Sequence, residues 1–301
     1  MRPNNSARRA APPSRPVRLG LAGLFWLLAC LGQAPPAAQA GDAIFQGLRP
    51  YLLTQGIPPA QADALLAQPD LRFEAKLLAG LLARHERTLD YGQFLTPGNV
   101  ARTRKFKERH AIRLGEAQRR TGVPPELVVA IISVESGLGN YTGRWSTCNV
   151  LASQAVLDQP AALGRLAPAW PPGQREYLGS PECRARFAKR AAWAREELVG
   201  LVRLAARDRR PAHGYRGSPA GALGMAQFVP TSVLNWGADG DRDGRIDLTR
   251  VEDAILSVAV YMQAHGWRPG LDRQGQYAVV HEYNHSQTYV NTVLDLAQRV
   301  R

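Results

Sequence analysis

Glu135 closes a run of eight residues, Leu127 to Val134, seven of them apolar, and is followed by Ser136-Gly137-Leu138-Gly139. Pro124-Pro125 opens the run and Gly137 lies just past it. A proline start and a glycine stop favour a helix over the strand that the β-branched residues would also allow. At the C-terminal end of an apolar helix, desolvation and the negative helix pole both disfavour ionisation and raise a carboxyl pKa. A carboxyl that keeps its proton near neutral pH is what a general acid on a glycosidic oxygen needs. From position alone, a capping or salt-bridged glutamate is the plainer alternative.

A second constellation has metal-ligand spacing. Asp239-Gly240-Asp241-Arg242-Asp243-Gly244-Arg245-Ile246-Asp247 follows the opening of an EF-hand loop, with acids at positions one, three, five and nine and Gly at six. The Arg245 carbonyl falls at position seven. Position twelve, a glutamate in the standard loop, is Arg250. A solvated Asp/Gly turn is the alternative.

The first forty residues carry five Arg and no acid, then an apolar run from Leu19 to Leu31. That is the pattern of a secretory leader, too short for a comfortable membrane span. Ala38-Gln39-Ala40 offers a small-x-small cleavage site, and Leu27-Leu28-Ala29-Cys30 a lipobox with Cys30 as a lipid-modified terminus. Either exit places the mature chain outside the cytoplasm, in the periplasm or anchored to the outer membrane. Residues 41–301 then hold 33 of the 38 Lys and Arg against all 25 acids, a basic surface suited to a polyanionic partner. Nucleic acid is not expected as that partner. Cys148 and Cys183 form an even pair in an oxidising compartment, which points to a disulfide; two independently buried thiols are the alternative.

The elements that position these groups read as helices. Leu48, Leu52 and Leu53 share a face, and Pro58-Pro59 opens a short helix through Ala60–Ala67. Phe73, Leu77, Leu78, Leu81 and Leu82 recur at three and four, predicting a helix over about 71–87. Thr96-Pro97 starts a helix expected to run unbroken to Arg120. Amphipathic segments follow near 184–208, 251–264 and 286–300, with irregular lobes expected at 140–182 and 267–281. The chain reads as mostly α: a leader over 1–40, N-terminal helices over 42–122 and a core over 123–301.

Val134-Glu135-Ser136-Gly137-Leu138-Gly139 has company in four later motifs. They are Gly217-Ser218-Pro219-Ala220-Gly221-Ala222-Leu223-Gly224, Met225-Ala226-Gln227-Phe228-Val229-Pro230-Thr231-Ser232, Tyr261-Met262-Gln263-Ala264-His265-Gly266-Trp267 and Tyr283-Asn284-His285-Ser286. Together, in this order, they resemble the membrane-bound lytic murein transglycosylase B family, over roughly Phe45 to Val300. The resemblance implies a lysozyme-like helical catalytic domain with added N-terminal helices and a small EF-hand-like loop. It implies that Glu135 alone serves as acid and base on peptidoglycan glycan strands, forming a 1,6-anhydro end without water and without a catalytic cofactor. Ser218, Gln227, Tyr283 and Asn284 then match substrate contacts, Tyr261 a tyrosine near the glutamate, and Met225 and Phe228 apolar wall. Core packing is the alternative for Tyr261, Met225 and Phe228, and a helix N-cap for Asn284. The family's loop is closed by an aspartate at position fifteen, here Asp253, so Asp239, Asp241, Asp243, Arg245 and Asp253 would hold a structural Ca²⁺ remote from the chemistry. The chain is expected to act as a monomer. Rival readings are a water-using muramidase on the same scaffold and a non-catalytic peptidoglycan-binding protein.

Overall fold

The computed structural model describes residues 42–83 and 90–301. The leader, its cleavage site and Cys30 lie outside the described residues, as does the end of the helix expected over 71–87. Among the described residues no helix is long and apolar enough to cross a membrane.

The chain forms helices α1 (Leu48–Thr54), α2 (Pro59–Leu66), α3 (Ala75–Leu82), α4 (Pro97–Arg109), α5 (Ala111–Thr121) and α6 (Pro125–Ser136). A two-residue strand β1 (Trp145–Ser146) leads into α7 (Thr147–Ala155), α8 (Pro160–Leu166), α9 (Arg175–Gly179) and the long α10 (Pro181–Arg207). Strand β2 (Arg216–Gly217) precedes α11 (Pro230–Trp236), α12 (Val251–Ala264), α13 (Arg273–Tyr283) and α14 (Gln287–Arg299). Proline stands in the first turn of α2, α4, α6, α8, α10 and α11, where its missing N–H costs nothing. Thr96, Ser146, Ser180, Asp272 and Ser286 cap α4, α7, α10, α13 and α14 by accepting from a backbone N–H of the first turn.

Helix α6 is the axis of the main core. Leu127 to Ser133 are all buried, because α4, α5, α12 and α14 pack around them. A smaller apolar cluster gathers Leu78, Leu82, Leu166, Trp170, Leu178 and Phe187 between α3, α8, α9 and the start of α10.

Three expectations are corrected. The helix over 96–120 is two, α4 and α5, with a junction at His110, whose ring packs on Phe106 at 4.4 Å. The turn lets α4 lie on α6 while α5 reaches α12. The lobe over 140–182 is not irregular: β1, α7, α8 and α9 fill it, and 267–281 contains most of α13. The Cys148–Cys183 disulfide is not formed. Both are buried free thiols. Cys148 lies in the first turn of α7 within the main core, Cys183 in the first turn of α10 within the smaller cluster. Separate helix starts in separate apolar clusters do not bring the two sulfurs together.

Candidate active site

The end of α6 is shaped by glycine. Gly137 takes a left-handed conformation (φ 59°), its N–H donates to the Ser133 carbonyl at 3.0 Å, and Leu138 N–H reaches back to Ile132 at 3.3 Å. This is a Schellman closure, which lets the chain reverse directly after Glu135. Leu138 itself sits at φ 64°, a strained choice for a branched side chain. The loop is then pressed onto the segment after β2. A Cβ on Gly139 would meet Met225 Cε at 2.8 Å, and one on Gly143 would stand 2.1 Å from the Gly217 carbonyl carbon. Trp145 pairs with Gly217 across β1 and β2.

Beyond Gly217 the backbone folds into a tight ribbon. Ser218 Oγ accepts from Ala220 N–H and Ala222 N–H, and Leu223 and Phe228 exchange backbone hydrogen bonds at 2.7 and 3.2 Å. Gln227 stands at the ribbon's tip with φ 50°, and its Nε2 donates to the Gly224 carbonyl at 2.7 Å. A non-glycine residue in this sparsely populated region is held there by the structure around it.

Against this ribbon stands an aromatic wall. The Tyr283 hydroxyl donates to the Ala226 carbonyl, and its ring lies 5.8 Å from Phe228 and 4.9 Å from Tyr261. The Tyr261 hydroxyl donates to the Glu282 carbonyl at 2.8 Å. Tyr289 is parallel to Tyr283 at 6.4 Å and edge-on to Tyr91 at 6.5 Å. Its hydroxyl donates to Glu135 Oε1 at 2.6 Å.

Glu135 is half-buried, so it keeps an opening to solvent. Desolvation pushes its carboxyl up to about 7, and the Tyr289 hydrogen bond pulls the other way. Among the described residues, no charged group is a cause of that shift. Burial, with the Glu135 charge beside them, raises both Tyr283 and Tyr289 well above the ordinary phenol value, so both stay protonated donors. A carboxyl poised near 7, among permanent uncharged donors, can give a proton to one atom and take one from another.

The structure thus brings Tyr261, Tyr283 and Phe228 into one wall, with Met225 pressed on Gly139. Ser218 is 7% exposed and its oxygen braces its own turn. Asn284 does not cap α14: Ser286 does, and Asn284 Oδ1 accepts from the Ser286 N–H at 3.1 Å. Glu282, the acid flanking that motif, is exposed. The residue that sequence reasoning missed is Tyr289. Its signal was a phenol in the apolar phase of α14, at three- and four-residue spacing with Val293 and Leu296.

The acidic loop is knit by hydrogen bonds from its own backbone to its aspartates. Asp239 accepts from Arg242 N–H and Gly244 N–H at 2.5 and 2.8 Å, and Asp253, in the first turn of α12, accepts from Gly240 N–H and Asp247 N–H. Carboxylate oxygens of Asp239, Asp241 and Asp253 lie within 4.8 Å of one another, and the buried Asp241 Oδ2 is paired with Arg250 Nη2 at 2.5 Å. This donor set of hard oxygens fits a cation such as Ca²⁺. Asp243 lies outside that trio, its Oδ1 accepting from Arg245 N–H at 2.9 Å. Leu248, directly after Asp247, touches the ribbon. The Leu248 carbonyl accepts from Met225 N–H at 2.7 Å, and Gly224 packs so closely on Leu248 that a Cβ would stand 2.4 Å from its backbone.

Residues 40–276 match the family model of the transglycosylase SLT domain. Membrane-bound lytic murein transglycosylase B of Escherichia coli (strain K12) is 33% identical over 178 residues, which are 59% of this chain and 41% of that protein. The aligned part therefore spans about two fifths of that relative's length. Soluble lytic transglycosylase SltB1 from Pseudomonas aeruginosa superposes with a TM-score of 0.68 at 22% identity, covering 86% of this chain and 98% of that one. The Escherichia coli lytic transglycosylase Slt35 in complex with calcium gives 0.65 at 23% identity, covering 87% and 95%. The mainly helical fold is shared with these structures, and on the family match over most of its length the protein belongs to the transglycosylase SLT domain family.

Proposed function

We propose that the chain is an exported peptidoglycan lytic transglycosylase in which Glu135 is the single acid and base. The observation that carries this reading is the Glu135 carboxyl, held near 7 by desolvation at the end of α6 and fixed by Tyr289. Tyr289 occupies Oε1, which leaves Oε2 to carry the transferable proton. That proton passes to the oxygen joining N-acetylmuramic acid to N-acetylglucosamine, the C1–O bond breaks, and the N-acetylglucosamine end leaves as an alcohol. The muramyl acetamido oxygen stabilises the cationic C1. The carboxylate then takes the proton of the C6 hydroxyl as O6 bonds to C1. Glu135 is restored, a 1,6-anhydro ring is formed, and no water is consumed.

In this scheme Ser218, Gln227, Tyr283 and Asn284 supply uncharged hydrogen bonds where water must be excluded. Met225 and Phe228 form apolar wall, and Tyr261 is the tyrosine near the glutamate. Asp239, Asp241, Asp243, the Arg245 carbonyl and Asp253 hold a structural Ca²⁺, which ties the loop to the first turn of α12 and takes no part in the reaction. The leader over 1–40 exports a single catalytic domain over 41–301, monomeric, either released into the periplasm or anchored to the outer membrane through Cys30.

Mass spectrometry of peptidoglycan digested by the purified protein tests the reaction. Anhydro-ended muropeptides, absent with Glu135→Gln, are expected. Products one water heavier would mean a muramidase instead, and undiminished release by the Gln variant would overturn the role of Glu135.

A further inference from the structure

Between residues 239 and 253 stand Asp239, Asp241, Asp243, Asp247, Glu252 and Asp253, with Arg242, Arg245 and Arg250 interspersed. Such a loop without a cation concentrates negative charge, and something must offset it for the loop to hold its shape. Arg242, Arg245 and Arg250 are all exposed. Arg250 is distinguished by its partner. Its Nη2 stands 2.5 Å from Asp241 Oδ2, and the Asp241 side chain is only 11% exposed.

That oxygen is the informative one. Asp241 Oδ1 is taken by the Asp243 N–H at 3.1 Å, while Oδ2, sealed from solvent, has the Arg250 guanidinium as its ionic partner. Oδ2 is therefore the Asp241 oxygen that a cation would ligate, and the guanidinium already lies against it. Arg250 also occupies position twelve, where a standard loop supplies a bidentate glutamate. With Asp253 closing the loop at position fifteen, position twelve carries a fixed positive charge instead of an acid. A Ca²⁺ ion and a guanidinium cannot both sit against one carboxylate oxygen without strong mutual repulsion.

We propose that Arg250 is an internal counter-cation of this loop, holding Asp241 when no metal is bound, so that a divalent cation binds only by displacing it. The inference rests on the calcium reading above. It makes the loop's shape independent of metal and its affinity for calcium weaker than its count of aspartates implies, since affinity in such loops follows ligand charge.

The test uses the mature protein with Arg250→Ala and Arg250→Glu variants. Calcium titration calorimetry gives Kd, and thermal melts in chelator and in millimolar CaCl2 give stability. Arg250→Ala is expected to bind calcium at least about tenfold more tightly than wild type, to melt several degrees lower in chelator, and to recover that loss when calcium is added. Arg250→Glu should bind tighter still and depend on calcium for its stability. Equal Kd values for wild type and Arg250→Ala, or weaker binding by the variant, would overturn the displacement. No calcium binding by any of the three would instead sink the calcium reading, and this inference with it.

Discussion

The Tyr289 hydroxyl donates to Glu135 Oε1 at 2.6 Å, joining α14 to the last turn of α6 across the main core. A phenol that keeps its proton at every working pH stabilises the carboxylate without competing for the transferred proton. Tyr289→Phe keeps the ring's packing and removes only this donor. A hydrogen bond to a charged group contributes about 1.5–3 kcal/mol. The Glu135 pKa is therefore expected to rise above about 7 by roughly one to two units, moving the alkaline limb of the rate profile upward, with activity reduced about tenfold or more. A pH–rate series on labelled peptidoglycan reads this, and an unmoved limb would count against the bond.

Glu135→Gln removes the titrating proton. Loss of a general acid and base is expected to lower the rate by about 10²–10⁴-fold. Its effect on stability has the opposite sign. The wild-type carboxyl ionises near 4.5 when unfolded and near 7 when folded, so between these values the folded state holds the extra proton and stability falls as pH rises. The destabilisation is absent below about 4 and complete above about 7, with an upper bound of about 3 kcal/mol. Melts of the Gln variant should match wild type at pH 4 and exceed it by several degrees at pH 8.

Gly143→Ala tests the contact between the loop after Glu135 and the ribbon. The position has φ 100°, and an added Cβ would stand 2.1 Å from backbone that cannot swing aside. Strain and overlap together are expected to cost on the order of 3 kcal/mol or more. Denaturant unfolding of the variant measures it, and a loss below about 1 kcal/mol would show that the contact is loose.

Burial raises the Cys148 thiol to about 12 and lifts Cys183 as well, which suppresses the thiolates that react with disulfide reagents. The folded mature protein is expected to react with neither cysteine on the minute scale. Two thiols should appear on unfolding without reductant, and reductant should leave the melting temperature unchanged. One mole of disulfide in the unfolded, unreduced protein would contradict the structure.

The readability of the sequence varied with the length of the physical signal. Helix α6 was legible because Pro124-Pro125 and Gly137 bracket an apolar run too polar-free to lie on a surface. The tight turn of the acidic loop was legible because its Asp/Gly spacing is local. The segment over 140–182 was misread because α8 and α9 are too short, seven and five residues, to display a period. Cysteine parity says nothing of distance, so the disulfide expectation had no geometric content. Tyr289 was hidden because a buried tyrosine and a buried leucine leave the same mark on periodicity; only the fold reveals where the hydroxyl points.

Where Gly143 crosses Gly217 there is room for hydrogen atoms and nothing larger, since a methyl on the second glycine would collide with the Ala222 carbonyl and the Thr147 hydroxyl. The crossing is thus closed to point substitution from both sides. Any redesign of the loop after Glu135 has to work by lengthening or shortening the adjoining turns, and a saturation library at these two codons should return glycine alone.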